Sequence, residues 1–193
     1  MKPLTIQVII GSVRVNRFGD KAAQWIASLA QEAGHTVTIV DLKDWQLPDY
    51  NEKGSPTSLQ GKLENQQGMA WGKHIAAADA FIIVTPEYNH GYPASLKNAL
   101  DWAYAEWNNK PVGFVGYGSV GGARSVEQLR TVAAELQMAD VRTAVHIMRP
   151  WELLTDTGDL RPGTLDAYVD SAKDMLTQLS LWGNALKVAR ERK

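Results

Sequence analysis

The chain has 193 residues, which suits one domain better than two, and 45% of them are apolar, enough to build a core. The net charge of -1 gives no sign of the basic surface of a nucleic-acid binder, and the absence of cysteine excludes disulfides, thiolate metal sites and cysteine nucleophiles. No apolar stretch is long enough to span a bilayer, so we expect one cytoplasmic domain over residues 1–193, whose redox chemistry would need a bound cofactor.

The first third of the chain predicts a strand, a helix and a second strand. The apolar run Ile6 to Ile10 predicts the first strand, and a helical pattern begins near Phe18. Thr36 to Val40 predicts the second strand and completes a βαβ unit. Residues 42–64 are irregular and too long for a plain connector, so they predict either a partner-binding or a substrate-covering loop.

The third predicted strand is Phe81 to Thr85, and a helix from about residue 66 to residue 78 leads into it. The strand is apolar without alternation, which is typical of a strand buried on both faces of a parallel sheet. Turn formers and aromatic residues follow from Pro86 to Pro93, and Ser95 is placed to cap the next helix. The apolar stripe of that helix comprises Leu96, Ala99, Leu100 and Ala103.

The rest of the chain predicts two more strands, Val112 to Val115 and Val141 to Ile147. Each is followed by a helix, Val126 to Met138 and Leu165 to about Arg190, the latter with Trp182 on its buried side. Alternating strands and helices favour a doubly wound parallel sheet of the α/β class. Five strands suit the flavodoxin-like order 2-1-3-4-5 in a single domain.

In this fold the loops after strands one, three and four meet at the carboxyl edge of the sheet, where ligands bind. The first loop, Gly11 to Gly19, precedes a helix and offers a hydroxyl and two guanidinium groups, which favours an anion such as phosphate. It is neither a dinucleotide fingerprint nor a P-loop. A plain turn with solvated arginines fits this loop equally well.

The loop from Gly116 to Gly122 carries four glycines and Ser119 but no nucleophile elbow, which disfavours a serine hydrolase. Its glycines either let backbone groups meet the polar edge of a planar ring or form a flexible turn. The four histidines show no metal-ligand spacing, so no metal site is predicted. His90, in the loop after strand three, is either an exposed loop residue or a catalytic one.

Two motifs carry a resemblance to a known family. They are Gly11-Ser12-x-Arg14 after strand one and the long stretch Pro86 to Trp102 after strand three. Together they resemble the flavodoxin-like NAD(P)H-dependent FMN reductases, whose members include quinone, azo and chromate reductases. The match in order and spacing covers residues 4–147.

The resemblance implies FMN as the cofactor and NADPH or NADH as the co-substrate. The implied cofactor-binding residues lie on the three loops: Ser12, Arg14, Arg17, Phe18 and Gly19 near the phosphate, Pro86, Glu87, Tyr88 and Asn89 beside the isoalloxazine, and Gly118, Ser119 and Gly121 on its other side. Many family members have a serine at the position of Arg17. The resemblance therefore leaves open whether Arg17 contacts the phosphate or faces solvent.

The implied activity passes two electrons by ping-pong hydride transfer from NAD(P)H to quinones, azo compounds, metal oxyanions or free flavin. Because the cofactor carries this chemistry, no catalytic side chain is predicted. Two alternatives remain open. One is a flavodoxin-type electron carrier without nicotinamide activity, and the other is a non-redox module that binds a phosphate-bearing ligand.

A homodimer or homotetramer is also expected. The predicted helix from Leu96 to Trp107 carries more aromatic surface than one core face needs, and the family associates through this region. The aromatic residues are Trp102, Tyr104 and Trp107. The other expected partner is a small-molecule electron acceptor, with no nucleic acid and no membrane.

Overall fold

The central strand of the sheet, Ala80–Pro86, is buried at all seven residues. A computed structural model describes residues 2–192 of the chain. Its strands are β1 Thr5–Ile10, β2 Thr36–Asp41, β3 Ala80–Pro86, β4 Pro111–Gly118, β5 Ala139–Asp140 and β6 Val145–Met148. Its α-helices are α1 Gly19–Glu32, α2 Leu42–Trp45, α3 Pro56–Leu59, α4 Gln66–Ala76, α5 Ala94–Asp101, α6 Ala123–Glu135 and α7 Val169–Glu191.

The strand order is β2-β1-β3-β4-β5, and every pairing is parallel. This confirms the predicted doubly wound, flavodoxin-like sheet. The predicted fifth strand, Val141 to Ile147, is wrong in detail because the edge of the sheet is divided between β5 and β6, both paired with β4. Between them Arg130 donates to the carbonyl oxygens of Val141 and Arg142, each at 2.8 Å, so these groups are satisfied by a side chain.

One apolar core lies on each face of the sheet. α1 and α7 cover one face, and α4, α5 and α6 cover the other. The buried residues of α7 include Ala172, Leu176, Leu179 and Gly183. Their spacing places them on one side of the helix. Trp182 falls outside that stripe and is 49% exposed, so its predicted burial is wrong.

The aromatic residues after α5 belong to the core of this chain. α5 ends at Asp101, so the predicted helix to Trp107 is wrong. The turns that follow place the Trp107 ring against Phe81 of β3, with 4.7 Å between ring centroids. Trp102, Tyr104 and Trp107 are all buried within the chain. The indole N–H of Trp102 donates to the carbonyl of Pro48 at 2.7 Å. The aromatic surface that argued for an oligomer is therefore accounted for without a partner.

Part of the irregular segment 42–64 is fixed to α5. The Asn98 side chain donates to the carbonyl of Pro48 at 2.8 Å and accepts from the backbone N–H of Tyr50 at 3.0 Å. The Tyr50 ring packs edge-on against Trp102, with 5.0 Å between ring centroids. These contacts hold the segment beside the helix that follows β3. Across residues 2–192, none of the helices combines the length and apolar character needed to cross a bilayer.

Two glycines of α4 give a matched test of core packing. A Cβ added to Gly68 would lie 2.3 Å from Cε3 of the buried Trp102, whereas one added to Gly72 would lie 3.4 Å from the Glu106 side chain. Gly68→Ala should destabilise the fold by about 1 to 3 kcal/mol through overpacking. Gly72→Ala should be neutral or stabilise by up to about 1 kcal/mol, because alanine favours helix. Urea unfolding of both variants measures the difference, and equal effects would contradict this packing.

Candidate active site

The loops after β1, β3 and β4 meet at the carboxyl edge of the sheet, as the sequence predicts. The hydroxyl groups of Ser12 and Tyr88 lie 2.7 Å apart and join the first loop to the second. Ser95 donates from its side chain to the carbonyl of Gly11 at 2.9 Å. It therefore lies within α5 and braces the first loop, and its predicted role as a helix cap is wrong because Pro93 occupies the cap position.

The first loop leads into the uncapped amino terminus of α1. Phe18 is the N-cap residue, and no side chain caps the helix. The backbone N–H groups of Phe18 and Gly19 have no acceptor among the described residues. Ser12 is buried and its oxygen accepts from the backbone N–H of Arg14 at 3.2 Å. Free N–H groups and the helix dipole make this end of α1 suited to an anion.

Arg17 is turned into the protein and is only 3% exposed. Its guanidinium pairs with Asp41 at the end of β2, donates to Asp20 of α1 at 2.7 Å and donates to the Ser12 carbonyl. Burial alone would raise the pKa of Asp41, but the hydrogen bond from Arg17 holds that pKa below its ordinary value. Arg17 therefore stabilises the first loop through contacts inside the protein, and the alternative that it faces solvent is wrong.

Arg14 is the arginine of this loop that is open to a ligand. Its side chain is exposed, and its guanidinium makes no hydrogen bond to any residue in the part of the chain described. It lies two residues after the buried Ser12 and ahead of the uncapped end of α1. One free cation and several free backbone donors thus meet at one end of the site.

The second loop is a tight turn after Pro86, the last residue of β3. Tyr88 and Gly91 exchange backbone hydrogen bonds of 2.8 and 3.0 Å. Between them Asn89 and His90 have left-handed backbone conformations, with φ of 48° and 74°. Such conformations cost about 1 to 3 kcal/mol each and cluster at ligand sites. The N–H groups of Asn89 and His90 find no acceptor among residues 2–192.

The third loop is shaped by its glycines. Gly121 and Gly122 have φ of 65° and 66°, and a Cβ on Gly121 would lie 2.8 Å from His146. No other residue fits there without displacing backbone or β6. Ser119 is exposed, and its N–H is without an acceptor in the described chain. Gly118 approaches the second loop, because a Cβ on it would lie 3.6 Å from the Cβ of Glu87.

The side chain of Glu87 points away from the open part of the site. It is 5% exposed and forms an ion pair with Arg124, whose Nε lies 2.5 Å from the carboxylate. Nearby, the Ser125 hydroxyl donates to the carbonyl of Pro86 and the Gln128 amide to that of His90, each at 2.8 Å. The sequence analysis missed these three residues of α6. Their spacing, which places them on one helix face, was the available signal.

Tyr117 is a further residue that sequence reasoning missed. Its hydroxyl is buried and has no hydrogen-bond partner among the described residues. It lies against the start of α1, where a Cβ on Gly19 would be 2.9 Å away. Burial raises the pKa of Tyr117, so the hydroxyl stays protonated. An unpaired buried donor beside the anion site is unusual, since most buried polar groups are satisfied.

The predicted site residues therefore lie together on three adjoining loops. Backbone N–H groups and Arg14 are available to a ligand, while the side chains of Arg17 and Glu87 are engaged inside the protein. The described residues contain no group of three histidine, aspartate or glutamate side chains that could hold a metal ion. The arrangement suits a ligand with an anionic end near α1 and a flat, polar-edged part between the second and third loops.

Comparison with known proteins identifies relatives. The family model of NADPH-dependent FMN reductases matches residues 4–152. An NAD(P)H-dependent FMN reductase of Schizosaccharomyces pombe is 39% identical over 171 residues, 88% of this chain and 82% of the relative. A 2-hydroxy-1,4-benzoquinone reductase of a Burkholderia species is 35% identical over 142 residues, 70% of this chain and 73% of the relative. The fold of a flavoenzyme NAD(P)H:(acceptor) oxidoreductase from Paracoccus denitrificans is similar, with a TM-score of 0.68, 22% identity, and coverage of 95% of this chain and 97% of that one.

The two arginines of the first loop should respond differently to mutation. Arg14→Ala should weaken FMN binding about ten- to a hundredfold, the effect of losing one charge-assisted contact, and leave apoprotein stability unchanged. Arg17→Ala should lower apoprotein stability by about 1 to 3 kcal/mol, because Asp41 and the Ser12 carbonyl lose their donor.

Quenching of flavin fluorescence on the apoprotein and urea unfolding measure the two effects. Arg192→Ala, an exposed position just after α7, is the control for loss of one positive charge. Weaker binding with unchanged stability in Arg17→Ala would show that Arg17 contacts the ligand.

Proposed function

The chain belongs to the NADPH-dependent FMN reductase family, and we propose that it transfers two electrons from NAD(P)H to small-molecule acceptors by a ping-pong scheme. It is an NAD(P)H-dependent oxidoreductase with FMN as its cofactor. The observation that carries the proposal is the family match to residues 4–152, because this span contains all three loops of the site.

The chemistry of the three loops fits FMN. The phosphate end requires positive charge and N–H donors, which Arg14 and the uncapped end of α1 provide. The buried hydroxyl of Tyr117 lies on the same side, next to Gly19 at the start of α1. The flat ring requires donors at its polar edge, and the second and third loops offer free backbone N–H groups at Asn89 and Ser119.

When bound, FMN supplies the ring that accepts a hydride and later releases two electrons. The chain orients it. Fixed backbone N–H groups of the second and third loops would stabilise negative charge at the polar edge of the ring, because they are already oriented before charge develops. This role needs no acid or base side chain.

Quinones are the first candidates for the electron acceptor, because one relative is named for a quinone substrate. Azo compounds, metal oxyanions and free flavin are further candidates from the sequence resemblance. The exposed side chains of Tyr88, Asn89 and Ser119 favour a wide mouth to the site. A cytoplasmic location, where NAD(P)H is supplied, remains part of the proposal.

Anaerobic titration with NAD(P)H tests the activity. The flavin absorbance of the holoprotein should bleach fully with one equivalent of NADPH or NADH, and a benzoquinone should restore it, because each half-reaction moves two electrons. Stopped-flow absorbance measures both steps. A holoprotein that neither nicotinamide reduces would be an electron carrier instead, and a chain that binds no FMN would support a non-redox binding module.

We also propose that the chain forms a homodimer or homotetramer, through a surface different from the one the sequence suggested. Three exposed apolar side chains lie in the third loop or in the segment at and after the end of β6: Val120, Met148 and Trp151. Met148 is paired with Gly118 in the sheet, and the next residue, Arg149, donates its backbone N–H to Gly118. Exposed apolar side chains near one loop are typical of an interface.

Analytical ultracentrifugation tests this assembly. The wild type should sediment as a dimer or larger at micromolar concentration, and Trp151→Lys should shift it toward monomer by placing a charge in an apolar contact. Trp182→Lys is the matched control, because Trp182 is 49% exposed, close to the 56% of Trp151, and lies on α7. A monomeric wild type would contradict the assembly, and a dimeric Trp151→Lys would contradict this interface.

A further inference from the structure

The Glu87 carboxylate takes the place of a missing helix cap. α6 begins after Gly122, and none of its own flanking side chains caps it. Glu87 caps the helix from the second loop, because its Oε2 accepts a hydrogen bond from the backbone N–H of Arg124 at 3.2 Å. Its Oε1 accepts from the guanidinium of the same arginine. An anion at a helix amino terminus is favoured by the free N–H groups and the dipole. One side chain thus ties the end of β3 to the start of α6.

The same turn of α6 fixes the second loop at two more points. Ser125 holds the carbonyl of Pro86 before Glu87, and Gln128 holds the carbonyl of His90 after it. The free N–H groups of Asn89 and His90 therefore lie on a segment that hydrogen bonds from α6 hold on both sides. Because α6 also begins directly after the third loop, both loops are attached to the first turns of this helix.

The charge of Glu87 makes Arg124 necessary. The carboxylate is nearly fully buried, and an unpaired buried charge is strongly unfavourable. Arg124 is the basic side chain that pairs with it among the described residues. Without Arg124, a negative charge would remain at the end of β3, beside the ring site, and would oppose negative charge on a reduced ligand there.

We propose that Glu87 and Arg124 are a positioning pair that sets both the affinity for FMN and its reduction potential. The inference rests on the proposed function and deepens it. Neither side chain needs to touch the cofactor. The pair holds the second and third loops in their mutual arrangement, and Arg124 cancels the charge of Glu87 so that the reduced, more negative cofactor is not disfavoured.

The test is the two-electron midpoint potential of bound FMN in four variants, measured at pH 8 against reference dyes. Arg124→Ala should shift the potential negative, because the Glu87 carboxylate is left unbalanced. Glu87→Gln should shift it positive, because the guanidinium is left unbalanced. The double variant should return toward the wild-type value, and Arg124→Lys should stay near it, because the charge balance is kept in both. FMN should bind at least about tenfold more weakly to Arg124→Ala, because the second and third loops lose the ion pair that holds them in place and must then be ordered on binding.

Arg130→Ala is the matched control, because Arg130 also lies on α6 and pairs with an aspartate, Asp140 of β5, away from the loops. It should lower stability without shifting the potential. Shifts of the same sign in Arg124→Ala and Glu87→Gln, or no shift in either, would overturn the inference. That failure is distinct from failure of the proposed function, which would appear as a wild type that binds no FMN or is not reduced by NAD(P)H.

Discussion

The parallel pairing of β3 between β1 and β4 is the constraint on which the rest of the molecule depends. β3 is buried along its whole length, so its backbone groups must be satisfied by its two neighbours. Parallel strands bring their carboxyl ends to one edge, and the loops that leave β1, β3 and β4 are consequently forced together. The contacts of Ser12 with Tyr88 and of Gly118 with Glu87 are results of that register.

The charged side chains of the site form two groups that differ in burial. The buried ones hold the loops in place, and the exposed one is free to contact a ligand. Arg17 and Glu87 are almost fully buried, and each is balanced by a partner on a different element, Asp41 and Arg124. Removing either partner would leave a buried charge, so these pairs cannot easily open to receive a ligand. Arg14 has no such partner among the described residues and is free to meet an anion. The groups that face a ligand are mostly backbone, and the buried ion pairs hold that backbone in place.

Sequence reasoning predicted the sheet order and the three loops, because uninterrupted apolar strands and glycine-rich turns are local signals. It failed where a contact joins distant parts of the chain. Asp41 lies 24 residues after Arg17, and Arg124 lies 37 residues after Glu87, so neither pairing is visible in a motif. The aromatic residues after α5 were assigned to an interface because the end of the helix at Asp101 was missed. Ser95 resembled a cap, but its hydroxyl bonds the distant Gly11 carbonyl.

The buried ion pairs and the exposed side chains at the mouth of the site are different residues, and this affects the range of acceptors. In the proposed function, backbone N–H groups orient the polar edge of the ring, whereas the exposed side chains at the mouth meet the molecules that approach its face. Two exposed side chains at the mouth, those of Asn89 and Ser119, are not engaged in the buried ion pairs. Substitutions there can alter which molecules approach while leaving the buried ion pairs intact. Because these side chains are exposed and lie outside the buried ion pairs, substitutions among them cost little stability, in keeping with the small effects of surface substitutions.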